Sequence, residues 1–136
     1  MNKVLISIGS NFDSNNNIIS CRRLLDLYFE DISYSEVCET VPYGKNYKHN
    51  FLNQLAIIST EKELSDIKFI LKSIEKKLGR DVNDKETGLV KIDVDLVIWN
   101  QDILKPKDIS RTYVKSLLST FSKDNFHDTF VDIAIF

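Results

Sequence analysis

Apolar and polar positions along the first 60 residues predict a strand, a helix and two further strands. Residues 3–11, KVLISIGSN, form a short β-branched run closed by Gly-Ser-Asn, which is typical of a buried strand that ends in a turn. Residues 13–31 carry apolar side chains at three- and four-residue steps, as on one face of a helix. Residues 31–41, DISYSEVCETV, and residues 51–60, FLNQLAIIST, are then predicted as the second and third strands.

The second half of the chain repeats this order of helix and strand. Residues 61–80 show helical spacing and end near Gly79, the residue type expected just beyond a helix C-terminus. Residues 91–99, KIDVDLVIW, are predicted as a fourth strand. The order β-α-β-β-α-β indicates an α+β, ferredoxin-like fold, with the helices on one face of an antiparallel sheet.

The remaining sequence is harder to assign from its pattern. Residues 110–121, SRTYVKSLLSTF, are consistent with one more short helix, and residues 126–136, FHDTFVDIAIF, with a final apolar segment or an edge strand. Because we find no linker, repeat or low-complexity tract, we expect a single domain over residues 1–136.

Two carboxylates stand one residue apart inside the predicted fourth strand. Because side chains alternate across a strand, Asp93 and Asp95 face the same way, with their Cα atoms roughly 7 Å apart. Two like charges at that spacing raise each other's pKa unless a cation lies near them. Magnesium binds one or two carboxylates together with waters and phosphates, so the pair suits a phosphate-transfer site. The alternative is a solvated strand face on which Lys91 pairs with the aspartates.

The composition is that of an ordinary globular chain. Of its residues, 43% are hydrophobic and 28% charged, and 18 Lys and Arg against 20 Asp and Glu give a net charge of −2. This balance argues against a protein that coats nucleic acid or an anionic membrane, although a few local cations suffice to bind phosphate. An RNA-binding sheet of the same topology is also disfavoured, because the predicted third strand offers one aromatic residue, Phe51.

The same composition bears on location. No apolar run is long enough for a membrane span, and the N-terminus reaches Gly9 and Asn11 too early for a signal peptide. Cys21 and Cys38 lack the CxxC spacing of a redox or metal pair, which favours buried free thiols. We therefore expect a cytoplasmic protein.

Five short stretches, in this order and at these spacings, resemble a known enzyme family. They are ISIGSN (6–11), ETVPYG (39–44), FLNQLAIIST (51–60), IEKKLGR (74–80) and IDVDLVIW (92–99). The chain resembles 6-hydroxymethyl-7,8-dihydropterin pyrophosphokinase of folate biosynthesis over about residues 4–104. Each stretch alone is weakly specific, but five in register are strongly specific, and the family has the ferredoxin-like fold predicted above.

The resemblance implies an activity, a cofactor and partners. Members of the family transfer a pyrophosphoryl group from ATP to the pterin's hydroxymethyl oxygen and release AMP, so ATP and a reduced pterin are the expected partners, with no nucleic acid and no membrane. Two magnesium ions bridge the triphosphate and the attacking oxygen. Asp93 and Asp95 match the metal ligands. Arg80 matches the first of a set of phosphate-binding arginines and joins them as an expected catalytic residue.

The resemblance also implies a pterin pocket. Thr40, Tyr43 and Gly44 match the turn after the second strand, where backbone groups bond the amide edge of the pterin. Asn53 matches an asparagine on the third strand, whose amide donors and acceptor suit a fused pyrimidine ring.

Two phenylalanines are expected to stack on the pterin. Phe51 matches the family's stacking aromatic, and Phe121 is the candidate for the second ring of the sandwich. The alternative for both side chains is core packing.

For ATP, the resemblance implies contacts along the second helix and the fourth strand. The expected residues are Lys72, Glu75, Arg80, Lys91 and Leu96. Glu75 matches the helix acid that contacts the nucleoside, and Lys72 lies one helical turn before it. The alternative for Lys72 and Glu75 is a surface salt bridge.

The chain departs from the family at the phosphate end. Val82 and Val90 stand where members carry further arginines, and Tyr113 stands near the position of a Pro-His pair. Arg111 and Lys115 are cations that follow the fourth strand. Because the loss of one charge-stabilising donor can raise the barrier by roughly 3–4 kcal/mol, the alternative function is a catalytically weak or inactive relative that only binds a pterin or nucleotide.

Overall fold

The computed structural model describes residues 1–42, 46–121 and 130. In this part of the chain the strands are β1 (Asn2–Ser10), β2 (Asp31–Tyr34), β3 (Cys38–Thr40), β4 (Phe51–Thr60), β5 (Asp93–Trp99) and β6 (Asp102–Ile103). The helices are α1 (Ser14–Tyr28), α2 (Leu64–Lys77), α3 (Asp84–Thr87), α4 (Pro106–Ile109) and α5 (Thr112–Leu118). None of these helices has the length and apolar content needed to cross a membrane.

Strand β1 lies at the centre of an antiparallel sheet. The strand order is β2-β4-β1-β5-β6, and β3 also pairs with β4. Strand β1 pairs with β4 along its whole length, from Asn2 opposite Thr60 to Ser10 opposite Leu52. This topology confirms the predicted ferredoxin-like α+β fold.

The two long helices pack on one face of the sheet, as predicted. Alternate residues of β1 point to this face and form a buried apolar cluster with α1 and α2: Val4, Ile6, Ile8, Ile18, Cys21, Leu25, Ile67, Leu71 and Ile74. Cys21 and Cys38 are free thiols, as expected, although Cys38 is only half-buried.

Two short helices cover part of the opposite face. The second apolar cluster joins this face of the sheet to α4 and α5, and includes Leu5, Leu55, Ile57, Ile109, Val114, Leu117 and Leu118. Helix α5 confirms the short helix predicted within residues 110–121. The predicted segment at residues 126–136 lies outside the described residues, apart from Phe130, which is buried in this cluster.

The predicted second strand, residues 31–41, is in fact divided into β2 and β3. Ser35 lies at the break, where its Oγ accepts the Leu55 N–H at 2.9 Å and its carbonyl accepts Gln54 Nε2 at 2.8 Å. These side-chain bonds add to the backbone bond from the Ser35 N–H to Leu55 O at 2.9 Å, as serine side chains often do next to a strand or turn. Both halves still pair with β4.

A buried asparagine ties the end of β1 to the segment before β5. Asn11 Oδ1 accepts the Val90 N–H at 2.5 Å, and Asn11 Nδ2 donates to the carbonyls of Gly88 at 2.9 Å and His49 at 3.3 Å. The backbone N–H of Asn11 also donates to Val90 O at 3.0 Å. The entry into β5, and therefore the placement of Asp93, depends on this side chain.

We expect Asn11→Ala to lower the free energy of unfolding by about 2–3 kcal/mol, because it leaves buried backbone groups without partners. Urea denaturation measures this as a lower midpoint at an unchanged slope. The control is Asn15→Ala, an exposed position of α1, which should change stability by less than about 0.5 kcal/mol. Equal effects of the two substitutions would contradict the role of Asn11.

Candidate active site

A cavity of about 660 Å³ opens on the face of the sheet that α4 and α5 leave partly uncovered. Strands β1, β4 and β5 form its floor, the segment between β3 and β4 forms one side, and α4 with the start of α5 forms the other. This volume is typical of a small-molecule site.

The strand register gathers polar side chains around one glycine. Gly9 lies opposite Asn53 of β4 and opposite Asp93 of β5, while Ser7 lies opposite Asp95. All five residues line the cavity. A Cβ at Gly9 would lie 3.3 Å from Asn53 Oδ1, so the missing side chain leaves room beside the amide. Gly9 belongs to the sequence motif ISIGSN, but only the strand register shows that it leaves room beside the Asn53 amide.

Asp93 and Asp95 lie on the same face of β5, as strand alternation predicts, and both line the cavity. Burial first, and the neighbouring Asp93 second, raise the pKa of Asp95 to about 7, whereas the charge of Lys105 lowers it. The pair is therefore a concentrated negative charge that a cation or a proton stabilises.

Arg80 bonds Asp93 of this pair directly, and Glu75 bonds Arg80 and the backbone between the two aspartates. Arg80 Nη1 donates to Asp93 Oδ1 at 2.7 Å and also to Glu75 Oε2. Glu75 Oε2 accepts the Val94 N–H at 2.9 Å as well. Burial raises the pKa of Glu75, and the bonds from Val94 and Arg80 oppose this rise. Glu75 is only 7% exposed, so the salt bridge that it forms with Arg80 is partly buried and is not the surface pair considered as its alternative.

The structure places none of the five residues expected to bind ATP among those that line the cavity: Lys72, Glu75, Arg80, Lys91 and Leu96. Lys72 is exposed on α2, and Leu96 is buried in the apolar cluster beneath the long helices. Lys91 Nζ lies 3.0 Å from Asp84 Oδ1, which corrects the idea that Lys91 pairs with the strand aspartates. The alternation argument fails there because β5 begins at Asp93.

The expected pterin side of the site is built by β3 and β4. Thr40, Phe51 and Asn53 all line the cavity. Asn53 Nδ2 donates to Thr40 Oγ1 at 2.6 Å, which fixes the orientation of the amide. The rings of Phe51 and Tyr47 meet edge to face, with their centroids 5.1 Å apart, so Phe51 is an aromatic wall rather than a core residue.

The other expected pterin contacts are not placed in the cavity. Phe121 is 7% exposed and packs in the second apolar cluster, so the alternative of core packing describes its position. Tyr43 and Gly44 lie outside the described residues.

Helix α4, its flanking residues and the first turn of α5 form a polar wall, rich in cations, that the sequence reasoning largely missed. This wall consists of Lys105, Lys107, Asp108, Arg111 and Tyr113. The sequence placed Tyr113 near the position of the Pro-His pair and offered Arg111 and Lys115 as cations for phosphate; Arg111 lines the cavity, whereas Lys115 is exposed on α5 and is not among the lining residues. The available signal was the cationic stretch KPKDISR, with a proline suited to the first turn of a helix.

The protein is therefore of the ferredoxin-like α+β class, with an acid pair at the floor of a small-molecule cavity. Residues 5–123 match the family described as 7,8-dihydro-6-hydroxymethylpterin-pyrophosphokinase (HPPK). The chain therefore belongs to this family. The match places it among the pyrophosphokinases, which are transferases.

Two similar relatives carry the same description, 2-amino-4-hydroxy-6-hydroxymethyldihydropteridine pyrophosphokinase. The protein from Helicobacter pylori is 26% identical over 121 residues, which cover 84% of this chain and 72% of the relative. The protein from Porphyromonas gingivalis is 31% identical over 101 residues, which cover 70% of this chain and 67% of the relative.

We expect Asp95→Asn to stabilise the protein in EDTA at pH 8, by roughly 2 kcal/mol. The pKa of Asp95 is raised in the folded state, so its ionisation destabilises the fold increasingly as pH rises from about 4 to about 7. The gain should shrink as pH falls towards 4. Urea denaturation at several pH values measures it, with the exposed Asp102→Asn as control. A gain independent of pH would contradict this assignment.

Proposed function

We propose that the protein is a pterin pyrophosphokinase of folate biosynthesis that transfers a pyrophosphoryl group from ATP to 6-hydroxymethyl-7,8-dihydropterin. The hydroxymethyl oxygen forms a bond to the β-phosphorus, while the bond from that phosphorus to the α-phosphate oxygen breaks, so that AMP leaves. The observation that carries the proposal is the position of Asp93 and Asp95. They share one cavity with the Asn53 amide, the Phe51 ring and a cationic wall. Membership of the family supports the same reaction.

The acid pair fits magnesium. The carboxylates of Asp93 and Asp95 offer the hard oxygen ligands that this ion prefers. Burial and the neighbouring Asp93 disfavour the charged form of Asp95 when no cation is bound. Asp93 and Asp95 would hold the metal, which supplies neutralisation of the triphosphate charge when bound. The described residues form no group of three or more His, Cys, Asp or Glu that could hold a metal. Phosphate oxygens and waters would therefore complete the coordination, as magnesium prefers.

The amide of Asn53 is poised for the pyrimidine edge of a pterin. Its Nδ2 is already bonded to Thr40 Oγ1, and its Oδ1 lies on the side of Gly9. The carbonyl oxygen is therefore the group that can accept an N–H of the pterin. Phe51 lies next to it on β4 and offers a ring face or edge for stacking.

The wall formed by α4 suits the phosphates. Lys105, Lys107 and Arg111 line the cavity, and Lys105 is close enough to Asp95 to lower its pKa. Asp108 also lines this wall, with its Oδ1 3.7 Å from Arg111 Nε, so the wall carries three cations and one acid. A magnesium-bound triphosphate would lie between these cations and the acid pair. These cations compensate for Val82, which is 94% exposed, and for Val90, which is buried.

A second candidate function is binding without turnover. Arg80, the expected phosphate-binding arginine, is already bonded to Glu75 and Asp93. If that arrangement persists with ligands bound, one guanidinium is withheld from the phosphates, which favours a slow or inactive relative.

The decisive assay measures AMP formed from ATP and magnesium, with and without 6-hydroxymethyl-7,8-dihydropterin. We expect AMP that requires the pterin, and at least a hundredfold slower formation in Asp95→Asn, because one metal ligand is lost. The exposed Asp102→Asn is the control and should retain wild-type activity.

The outcomes of this assay separate the two functions. Equal activity in the wild type and Asp95→Asn would remove Asp95 from the proposed mechanism. Pterin or ATP binding without AMP would establish the binding relative instead. If neither AMP formation nor ligand binding is detected, both functions are refuted.

We expect Lys105→Met to weaken binding of magnesium-ATP by about tenfold, because a charge-assisted contact to phosphate is lost. Calorimetric titration measures the dissociation constant. Lys115→Met, an exposed position outside the cavity, is the matched control and should bind like the wild type. If both variants bind equally well, α4 is not the phosphate wall.

A further inference from the structure

The Glu75 carboxylate lies behind the acid pair, not in the cavity. It is buried, and Oε2 accepts both the Val94 N–H, at 2.9 Å, and Arg80 Nη1. Val94 stands between Asp93 and Asp95 in the sequence. Glu75 therefore holds the backbone at the midpoint of the pair.

The Val94 N–H needs such a partner because of its place in the sheet. Strand β1 pairs with one edge of β5, and on the other edge β6 pairs at Ile98 and Trp99. Among the described residues, no strand reaches this outer edge beside Val94. An uncovered edge leaves N–H groups without acceptors, and Glu75 supplies one from α2.

The end of α2 brings Arg80 to the same place. Gly79 has φ +90°, its N–H donates to Lys76 O at 3.1 Å, and the Arg80 N–H donates to Glu75 O at 3.0 Å. This is a Schellman arrangement, which reverses the chain after a helix. The Arg80 side chain then lies beside Glu75, and its Nη1 also bonds Asp93 Oδ1 at 2.7 Å.

We propose that Glu75 is the positioning residue of the acid pair, fixing β5 through the Val94 N–H and Asp93 through Arg80. Asp93 is thus held by one oxygen, while its other oxygen and the Asp95 carboxylate supply the ligands for a divalent cation. This role differs from the nucleoside contact that the family resemblance implies. Its metal-related part rests on the proposed function, whereas its effect on the Val94 backbone does not.

Three variants test the proposal. Glu75→Leu removes the acceptor and the charge at similar volume, and Glu75→Gln removes the charge but keeps an acceptor oxygen. Glu63→Gln makes the same chemical change at the exposed N-cap of α2, where the side chain makes no capping bond.

Amide hydrogen exchange in the metal-free protein tests whether Glu75 holds the Val94 N–H. We expect the Val94 amide to exchange at least tenfold faster in Glu75→Leu, less in Glu75→Gln and unchanged in Glu63→Gln. The amide of Ile58, in the interior strand β4, serves as the reference for global unfolding. If Val94 and Ile58 accelerate together, Glu75 supports stability in general and the positioning role is overturned.

Titration with Mn²⁺, followed by the electron paramagnetic resonance signal of the free ion, measures whether Glu75 affects the affinity of the acid pair for a divalent cation. We expect the dissociation constant to rise about tenfold in Glu75→Leu, about threefold in Glu75→Gln and not at all in Glu63→Gln. Equal increases of the dissociation constant in Glu75→Leu and Glu75→Gln would show that charge alone matters, and would overturn the proposal. An unchanged dissociation constant in both variants would overturn it as well. If the wild type binds no Mn²⁺, the metal site of the proposed function fails, and Val94 exchange alone decides the role of Glu75.

Discussion

Strand β1 is hydrogen-bonded along both edges, and its register places Gly9 opposite Asn53 on one side and Asp93 on the other. A slip of one residue would turn Asp93 and Asp95 to the helix-covered face, where Val94 and Leu96 are now buried. The apolar side chains that fill this face therefore hold the acids on the open face. The site depends on core packing as much as on its own polar groups.

The pairing of β1 with β5 has an irregularity that lies outside the site. Between Leu5 and Ile6 the pairing of β1 with β5 shifts by one residue, and Val97 and Ile98 both join the apolar cluster under α4 and α5. Such a bulge redirects side chains and increases local twist. It lets one strand present two acids to a cavity and, a few residues later, two apolar side chains to the neighbouring core.

Sequence reasoning recovered what depends on periodicity and local motifs. The apolar spacing of residues 61–80 predicted α2, and Gly79 ended it with a positive φ. Alternation placed Asp93 and Asp95 on one face because that rule is local.

Contacts between residues far apart in the sequence could not be predicted in this way. The pairing of Lys91 with Asp84, and of Glu75 with the Val94 N–H, depends on loops and helix ends whose directions no period encodes. Helix α4 was missed because one turn leaves little periodic signal.

The charges of the acid pair and of the two residues bonded behind it explain why this part of the site suits a divalent cation. With every group ionised, Glu75, Asp93 and Asp95 carry three negative charges against the one positive charge of Arg80, which leaves two. Arg80 shares its guanidinium nitrogen between two acids, so it fixes Asp93 without neutralising the pair. Burial first, and the charge of Asp93 second, raise the pKa of Asp95, so a proton on this carboxylate relieves both costs when no cation is present. Under the proposed function, a proton and a metal would compete for this carboxylate, and a magnesium-bound triphosphate, met by Lys105, Lys107 and Arg111, would offset the same electrostatic cost.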